Sequence, residues 1–182
     1  MDISEMLKNS KRKPGNIVLI GFMASGKTAV GRKLASRLKM GFIDMDLLIE
    51  SQEGMKISDI FRLKGEPYFR NLEKSMIKSF QHLKNVVIST GGGVVKDSGN
   101  RRILRRMGKV IYLDTSPEAM IARLKKSEID KRPLLRGEGS LIFRIKKILE
   151  PRIPLYRRCA HCIIETSKMN LNQVVNRVMD CV

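Results

Sequence analysis

The chain has 182 residues, 42% of them hydrophobic, enough for one buried core but short of two independent domains, since folded units commonly span ~100 to 200 residues. No stretch approaches the ~18 consecutive apolar residues of a membrane-spanning helix, and the opening MDISEMLKNSKRKPGN lacks the apolar core of a secretory signal, so the expectation is a soluble, cytoplasmic protein without membrane contact. With 36 Lys and Arg against 18 Asp and Glu the formal charge is +18 and there is no Trp, a balance that attracts anions but offers little base stacking, and it reads as solvated basic faces rather than a nucleic-acid footprint.

Residues 1–15 carry Lys8, Lys11, Arg12 and Lys13, end in Pro14-Gly15, and read as a loose basic arm ahead of one domain over 16–182. Asn16–Ile20, NIVLI, is too short for a helix and apolar on both faces, as in a strand of a covered parallel sheet. Similar runs stand at 41–43, 86–88, 110–113 and 162–164. Between them lie helical patterns at 28–38, at 72–83 with Leu72, Met76, Phe80 and Leu83 on one face, and at 117–124, 140–148 and 171–179. Arg101, Arg102, Arg105 and Arg106 also repeat at helical spacing, with Ile103, Leu104 and Met107 facing elsewhere. This alternation predicts an α/β class, a three-layer sandwich around a mostly parallel five-stranded sheet with right-handed crossovers. The cysteines, Cys159, Cys162 and Cys181, are odd in number, which argues against a disulfide framework and for a reducing compartment; Cys159-Ala160-His161-Cys162 has no second cluster to complete a structural zinc site.

Gly21-Phe22-Met23-Ala24-Ser25-Gly26-Lys27-Thr28 fits G-x-x-x-x-G-K-[ST], directly after a strand and opening a helix. In such a loop backbone N–H groups turn inward around phosphate, the helix N-terminus adds a favourable dipole, the lysine neutralises phosphate oxygens, and the hydroxyl reaches Mg²⁺. Nucleotide contacts are therefore expected from Gly21, Met23, Ala24, Ser25, Gly26, Lys27, Thr28 and Ala29, with ATP and Mg²⁺ as cofactors. The run at 86–90 ends without the acid that motor ATPases use to hold the metal, and leads instead into Gly91, Gly92 and Gly93. Three glycines there suit either close backbone approach to a ligand or a plain mobile loop. Asp44 and Asp46 close the strand at 41–43, one positioned to serve a metal and the other a substrate, or else to cap a helix entered at 47–50.

Taken together, GFMASGKTAVGRKLA, FIDMDLLIE, Gly65-Glu66-Pro67-Tyr68-Phe69-Arg70, STGGGVV, Arg132-Pro133-Leu134-Leu135 and Arg152-Ile153-Pro154-Leu155-Tyr156 resemble the shikimate kinase family, in its order and over residues 16–180. The resemblance implies a P-loop kinase fold with a mobile lid at about 125–139 and a substrate-binding segment at about 44–75, and since nothing in the chain demands an oligomer a monomer is expected. It implies transfer of the γ-phosphoryl group of ATP to the 3-hydroxyl of shikimate, giving shikimate 3-phosphate and ADP on the route to chorismate and aromatic amino acids. It also implies roles. Lys27, Asp46 and Arg132 are catalytic, with Arg132 reaching from the lid over the phosphoryl group. Arg70 and Arg152 grip the carboxylate, Asp46 holds ring hydroxyls, and the backbone of Gly91, Gly92 and Gly93 completes the pocket. Thr28 and Asp44 serve Mg²⁺, and Arg123 packs on adenine; 166–170 stays unassigned. Three other readings remain: a gluconate-type kinase with a different acceptor pocket, a basic ATPase that binds nucleic acid, and a nucleotide-binding regulatory module without turnover.

Overall fold

NIVLI forms β1 (Asn16–Ile20) with all five residues buried, a condition that requires a partner on each edge and a cover on each face. The structure is a computed structural model and describes residues 15–124, 135 and 138–182; the basic arm up to residue 14 and most of the expected lid, Arg132 included, lie outside the described residues. Along the chain follow α1 (Lys27–Leu38), β2 (Gly41–Asp44), α2 (Met45–Glu53), α3 (Ile57–Ser79), β3 (Val86–Ser89), α4 (Ser98–Met107), β4 (Gly108–Asp114), α5 (Pro117–Arg123), α6 (Leu141–Leu149), α7 (Ile153–Cys159), β5 (Cys162–Glu165) and α8 (Leu171–Met179). The sheet order is β2-β3-β1-β4-β5, and every pairing is parallel, with Val18 opposite Ile88 on one side and Val110 on the other.

Alternate residues of the central strands serve two separate cores, because successive side chains of a strand point to opposite faces. Val18, Ile20, Ile88, Val110 and Tyr112 pack with side chains of α2, α3, α4, α6 and α7, whereas Ile17, Leu19, Val87, Ile111 and Leu113 pack with α1 and α8. Each such fully buried aliphatic side chain contributes about 1.5–3 kcal/mol, and the two cores make the predicted three layers.

Besides α7, for which no helical pattern had been expected, two features differ from the sequence expectation. The helix expected at 72–83 begins at Ile57 and is broken at Gly65, whose backbone sits at φ 82° and ψ 165°. Pro67 has no N–H to donate and crowds the carbonyl four residues back; the glycine takes up the bend, and the helix restarts with Glu66 and Pro67 in a first turn, where proline is tolerated. The restart turns Arg70 and Glu73 toward the sheet edge that carries the phosphate loop. Secondly, Cys162 and Cys181 are joined by a disulfide, with Cα atoms 6.4 Å apart, which corrects the expectation, drawn from the odd number of cysteines, of a chain without disulfides. The crossover from β5 returns α8 along the strand, so its end lies beside the strand's start; only Cys159, buried, remains a thiol.

Part of the excess positive charge acquires a local reason. Arg37, Lys78, Arg105, Arg106, Lys146, Lys147, Arg157, Arg158 and Arg177 occupy last turns of helices, where cations meet the carbonyl end of the helix dipole. Arg105 Nη1 reaches the carbonyls of Arg158, Cys159 and Ala160 at the end of α7, at 3.2, 3.0 and 2.9 Å. Among the described residues no helix is long and apolar enough to cross a membrane.

Candidate active site

Because all five strands are parallel, the segments that follow β1, β2, β3, β4 and β5 gather on one edge of the sheet, where ligands of such folds bind. After β1 the loop turns through Gly21, Ala24 and Gly26 at positive φ of 150°, 58° and 90°. A Cβ on Gly21 would stand 2.8 Å from the Leu113 carbonyl oxygen and 2.8 Å from Ser25 Oγ, so only glycine fits there. Gly26 caps α1 without a side-chain acceptor, which leaves the helix's first N–H groups to an anion. Lys27 folds over the loop, its Nζ donating to the carbonyls of Gly21 at 2.9 Å and Phe22 at 2.8 Å. Met23, Ser25, Thr28 and Ala29 lie on the same turn and helix entry.

The two aspartates part ways. Asp44 ends β2; its Oδ2 accepts the Thr28 hydroxyl at 2.6 Å, while Oδ1 accepts the N–H groups of Asp46 at 3.2 Å and Leu47 at 3.3 Å. It therefore caps α2, as one of the two sequence alternatives had it, and at the same time faces the phosphate loop. Asp46 lies not on the strand but in the first turn of α2, pointing instead toward the glycines after β3.

Those glycines are enclosed by charge. A Cβ on Gly91 would lie 2.6 Å from Glu73 Oε1 and 2.8 Å from Asp46 Oδ1, and one on Gly93 would lie 2.2 Å from Arg70 Nη1; at both positions a side chain would displace a charged group. Arg70 donates from Nε and Nη2 to Glu66 Oε1 at 3.0 and 2.9 Å and from Nη1 to Glu73, and Lys96 joins Glu66 at 3.0 Å. Across the turn, Arg152 donates from Nη1 to the Gly92 carbonyl at 3.2 Å, its guanidinium 5.5 Å from the Phe22 ring centroid. Glu73 is 1% exposed. Burial pushes its carboxyl up to about 7, against the pull of Arg70 and with a further push from Asp46. Two guanidinium forks, the buried Glu73 and the half-buried Asp46 around one backbone turn make a pocket suited to a small hydroxylated carboxylic acid, set beside a loop suited to polyphosphate.

On the other flank Arg123 Nη2 donates to the Thr166 carbonyl at 2.6 Å, and the Thr166 and Thr115 hydroxyls lie 2.7 Å apart; the arginine expected at adenine thus meets the segment that had been left unassigned. Glu73 and Tyr156 had been given no role in the site from the sequence. The spacing Glu66, Arg70, Glu73 along one helical face was the available signal for the first; nothing local marks the second.

A family model for shikimate kinase matches residues 23–182. The shikimate kinase of Persephonella marina is 46% identical over 164 residues, covering 90% of this chain and 96% of that protein. Among solved structures, a shikimate kinase from Acinetobacter baumannii in complex with shikimate has a TM-score of 0.87 at 36% identity, covering 95% of this chain and 94% of that one. A gluconokinase from Sinorhizobium meliloti reaches a TM-score of 0.54 at 18% identity, covering 93% and 92%, a likeness of fold alone.

Proposed function

The chain belongs to the shikimate kinase family, ATP-dependent kinases of a small-molecule acceptor, and from that premise we propose how its own residues carry a phosphoryl group from ATP to shikimate. The loop amides from Gly21 to Thr28 and the first N–H groups of α1 receive the phosphates, and Lys27 leaves the Gly21 and Phe22 carbonyls to neutralise the transferring group. Arg70 and Arg152 take the acceptor's carboxylate. Asp46 accepts a hydrogen bond from the 3-hydroxyl and aims the hydroxyl oxygen at the γ-phosphorus; the bond from that phosphorus to the bridging oxygen of ADP breaks as the new one forms, and the hydroxyl proton is released, giving shikimate 3-phosphate and ADP. Arg132 is assigned to the phosphoryl oxygens and Arg123 to the adenine ring. Such a reaction asks little covalent work of the protein, and rate comes from positioning and from charge placed where it develops.

Thr28 and Asp44 are hard oxygen donors 2.6 Å apart at the loop's edge, a donor set that suits Mg²⁺, which when bound neutralises phosphate charge. We read the protein as a monomer that works in the cytoplasm, where ATP is supplied.

One observation carries the acceptor assignment: Arg70, Asp46 and Glu73 converge on Gly91 and Gly93 while Arg152 holds Gly92. An ADP-release assay with shikimate, gluconate and single-stranded RNA tests it. Stimulation by shikimate alone is expected; stimulation by gluconate or RNA instead overturns the reading.

A further inference from the structure

The Gly92 carbonyl is the meeting point of two donors from one helical stretch, Arg152 Nη1 and the Tyr156 hydroxyl. Residues four apart lie on the same face of a helix, so both side chains reach the same oxygen. A carbonyl oxygen has two lone pairs, and here both are taken. That matters in this turn because three successive glycines have the widest backbone freedom of any run, and nothing in their own side chains restrains the Gly92 peptide.

Tyr156 is built as a rigid donor. Its ring is fully buried and stacked on Tyr112, with centroids 4.8 Å apart and planes inclined by 13°. Tyr112 spends its own hydroxyl elsewhere, donating to Asp114 Oδ1 at 2.9 Å. Burial holds the Tyr156 phenol protonated far above the ordinary range, although Arg152 beside it pulls the other way, so it remains a donor at any working pH.

We propose that Tyr156 is a positioning residue for the acceptor pocket: by donating to the Gly92 carbonyl it fixes the peptide of the glycine turn and, through that shared oxygen, the Arg152 guanidinium. Without the hydroxyl the carbonyl retains one partner, the turn regains rotational freedom, and Arg152 loses the fixed anchor that sets its fork. The proposal rests on the assignment of Arg152 and the glycine turn to shikimate.

Tyr156→Phe tests it, since the phenyl ring keeps the stack and the packing. Tyr112→Phe is the matched control, removing a hydroxyl from the same stack that does not touch the turn. Shikimate Kd by calorimetry, KM and kcat, ATP Kd and Tm are measured for both variants and wild type. The expected result for Tyr156→Phe is a rise of about tenfold in shikimate Kd and KM, as loss of one buried hydrogen bond gives, with ATP Kd within about twofold of wild type. Tyr112→Phe leaves shikimate Kd and KM unchanged. Unaltered ATP binding shows that the variant is folded. A shikimate Kd equal to wild type in Tyr156→Phe, or an equal rise in both variants, overturns the positioning role. Failure of the underlying reading is seen separately, as a wild-type chain that binds ATP and not shikimate, and it takes the proposal with it.

Discussion

The Thr28 hydroxyl donates to Asp44 Oδ2 at 2.6 Å, joining the first turn of α1 to the end of β2, while the other oxygen of the same carboxylate caps α2. One residue thus fixes where a helix begins and faces the place where a divalent cation would meet the phosphates. Asparagine caps helices about as well as aspartate, so Asp44→Asn keeps the fold and removes the charge. The Mg²⁺ concentration for half-maximal rate is expected to rise tenfold or more, on the order seen when a ligand's environment is disturbed, with little change in shikimate KM. Asp46→Asn is expected to do the reverse. Mg²⁺ and shikimate titrations that respond alike in the two variants would show that the acids share one task.

Lys27 Nζ donates to the loop carbonyls of Gly21 and Phe22, and the side chain is not part of either hydrophobic core. Lys27→Ala should retain the wild-type Tm within a few degrees and lose about a hundredfold or more in kcat, roughly 3 kcal/mol of transition-state stabilisation. Single-turnover phosphoryl transfer is the measurement, and a near-wild-type rate would falsify the phosphate assignment.

Arg70 and Arg152 differ in what lysine would cost. Each should lose about tenfold or more in kcat/KM for shikimate, because a point charge cannot reproduce a bidentate fork, with ATP Kd nearly unchanged. Arg70→Lys should also lower Tm more than Arg152→Lys, since Arg70 spans Glu66 and the buried Glu73 and a weakened partner leaves a buried carboxylate poorly compensated. An equal loss of ATP affinity in either variant counts against the carboxylate clamp.

At Gly91 an added methyl must push aside Glu73 Oε1 or Asp46 Oδ1, at 2.6 and 2.8 Å. Gly91→Ala is therefore expected to raise shikimate KM by about tenfold or more through misplaced groups, with the ATP KM held. Wild-type shikimate kinetics in Gly91→Ala would mean that the carboxylates do not touch the acceptor.

Glu73 gives a pH signature whose sign can be stated. Its carboxyl in the folded protein lies at about 7, above the ordinary 4.5, so the folded state binds the extra proton between those values. The corresponding stability is present at the acidic end of that window and is lost as pH rises through about 7, on the order of 3 kcal/mol at most. Protonation also releases Arg70 from an ionised neighbour. Shikimate Kd should tighten as pH falls from about 8 to about 6, while the acceptor's carboxylate stays ionised, and Glu73→Gln should flatten both trends. A wild type and a Glu73→Gln variant with parallel pH profiles for Tm and Kd would remove Glu73 from the site's electrostatics.

How much of this was legible beforehand differs from segment to segment. The strands were readable because each is a short apolar run between polar turns, and Leu171–Met179 was readable to the residue because Asn170 caps it and its apolar side chains recur at helical spacing. The phosphate loop was readable because its chemistry is local: glycines, lysine and threonine within eight positions. The helix from Ile57 was only half seen, since Gly65 and Pro67 are the usual marks of a break and here they break a helix without ending it.

What the sequence by itself determined, then, was the fold class, the phosphate loop and the set of side chains available to an acceptor, because propensity, periodicity and motif act over a few residues. Only the tertiary structure decided which groups those side chains face. Asp44 and Asp46, two apart in sequence, face different groups because the strand ends between them and a helix begins. Glu73 acquires its displaced carboxyl only when α3 is packed against the sheet and water is excluded. Tyr156 and Gly92, 64 residues apart, meet because β4 and α7 bring a stacked pair of tyrosines under the glycine turn. Burial and long-range pairing are properties of the packed chain, and no window of neighbouring residues contains them.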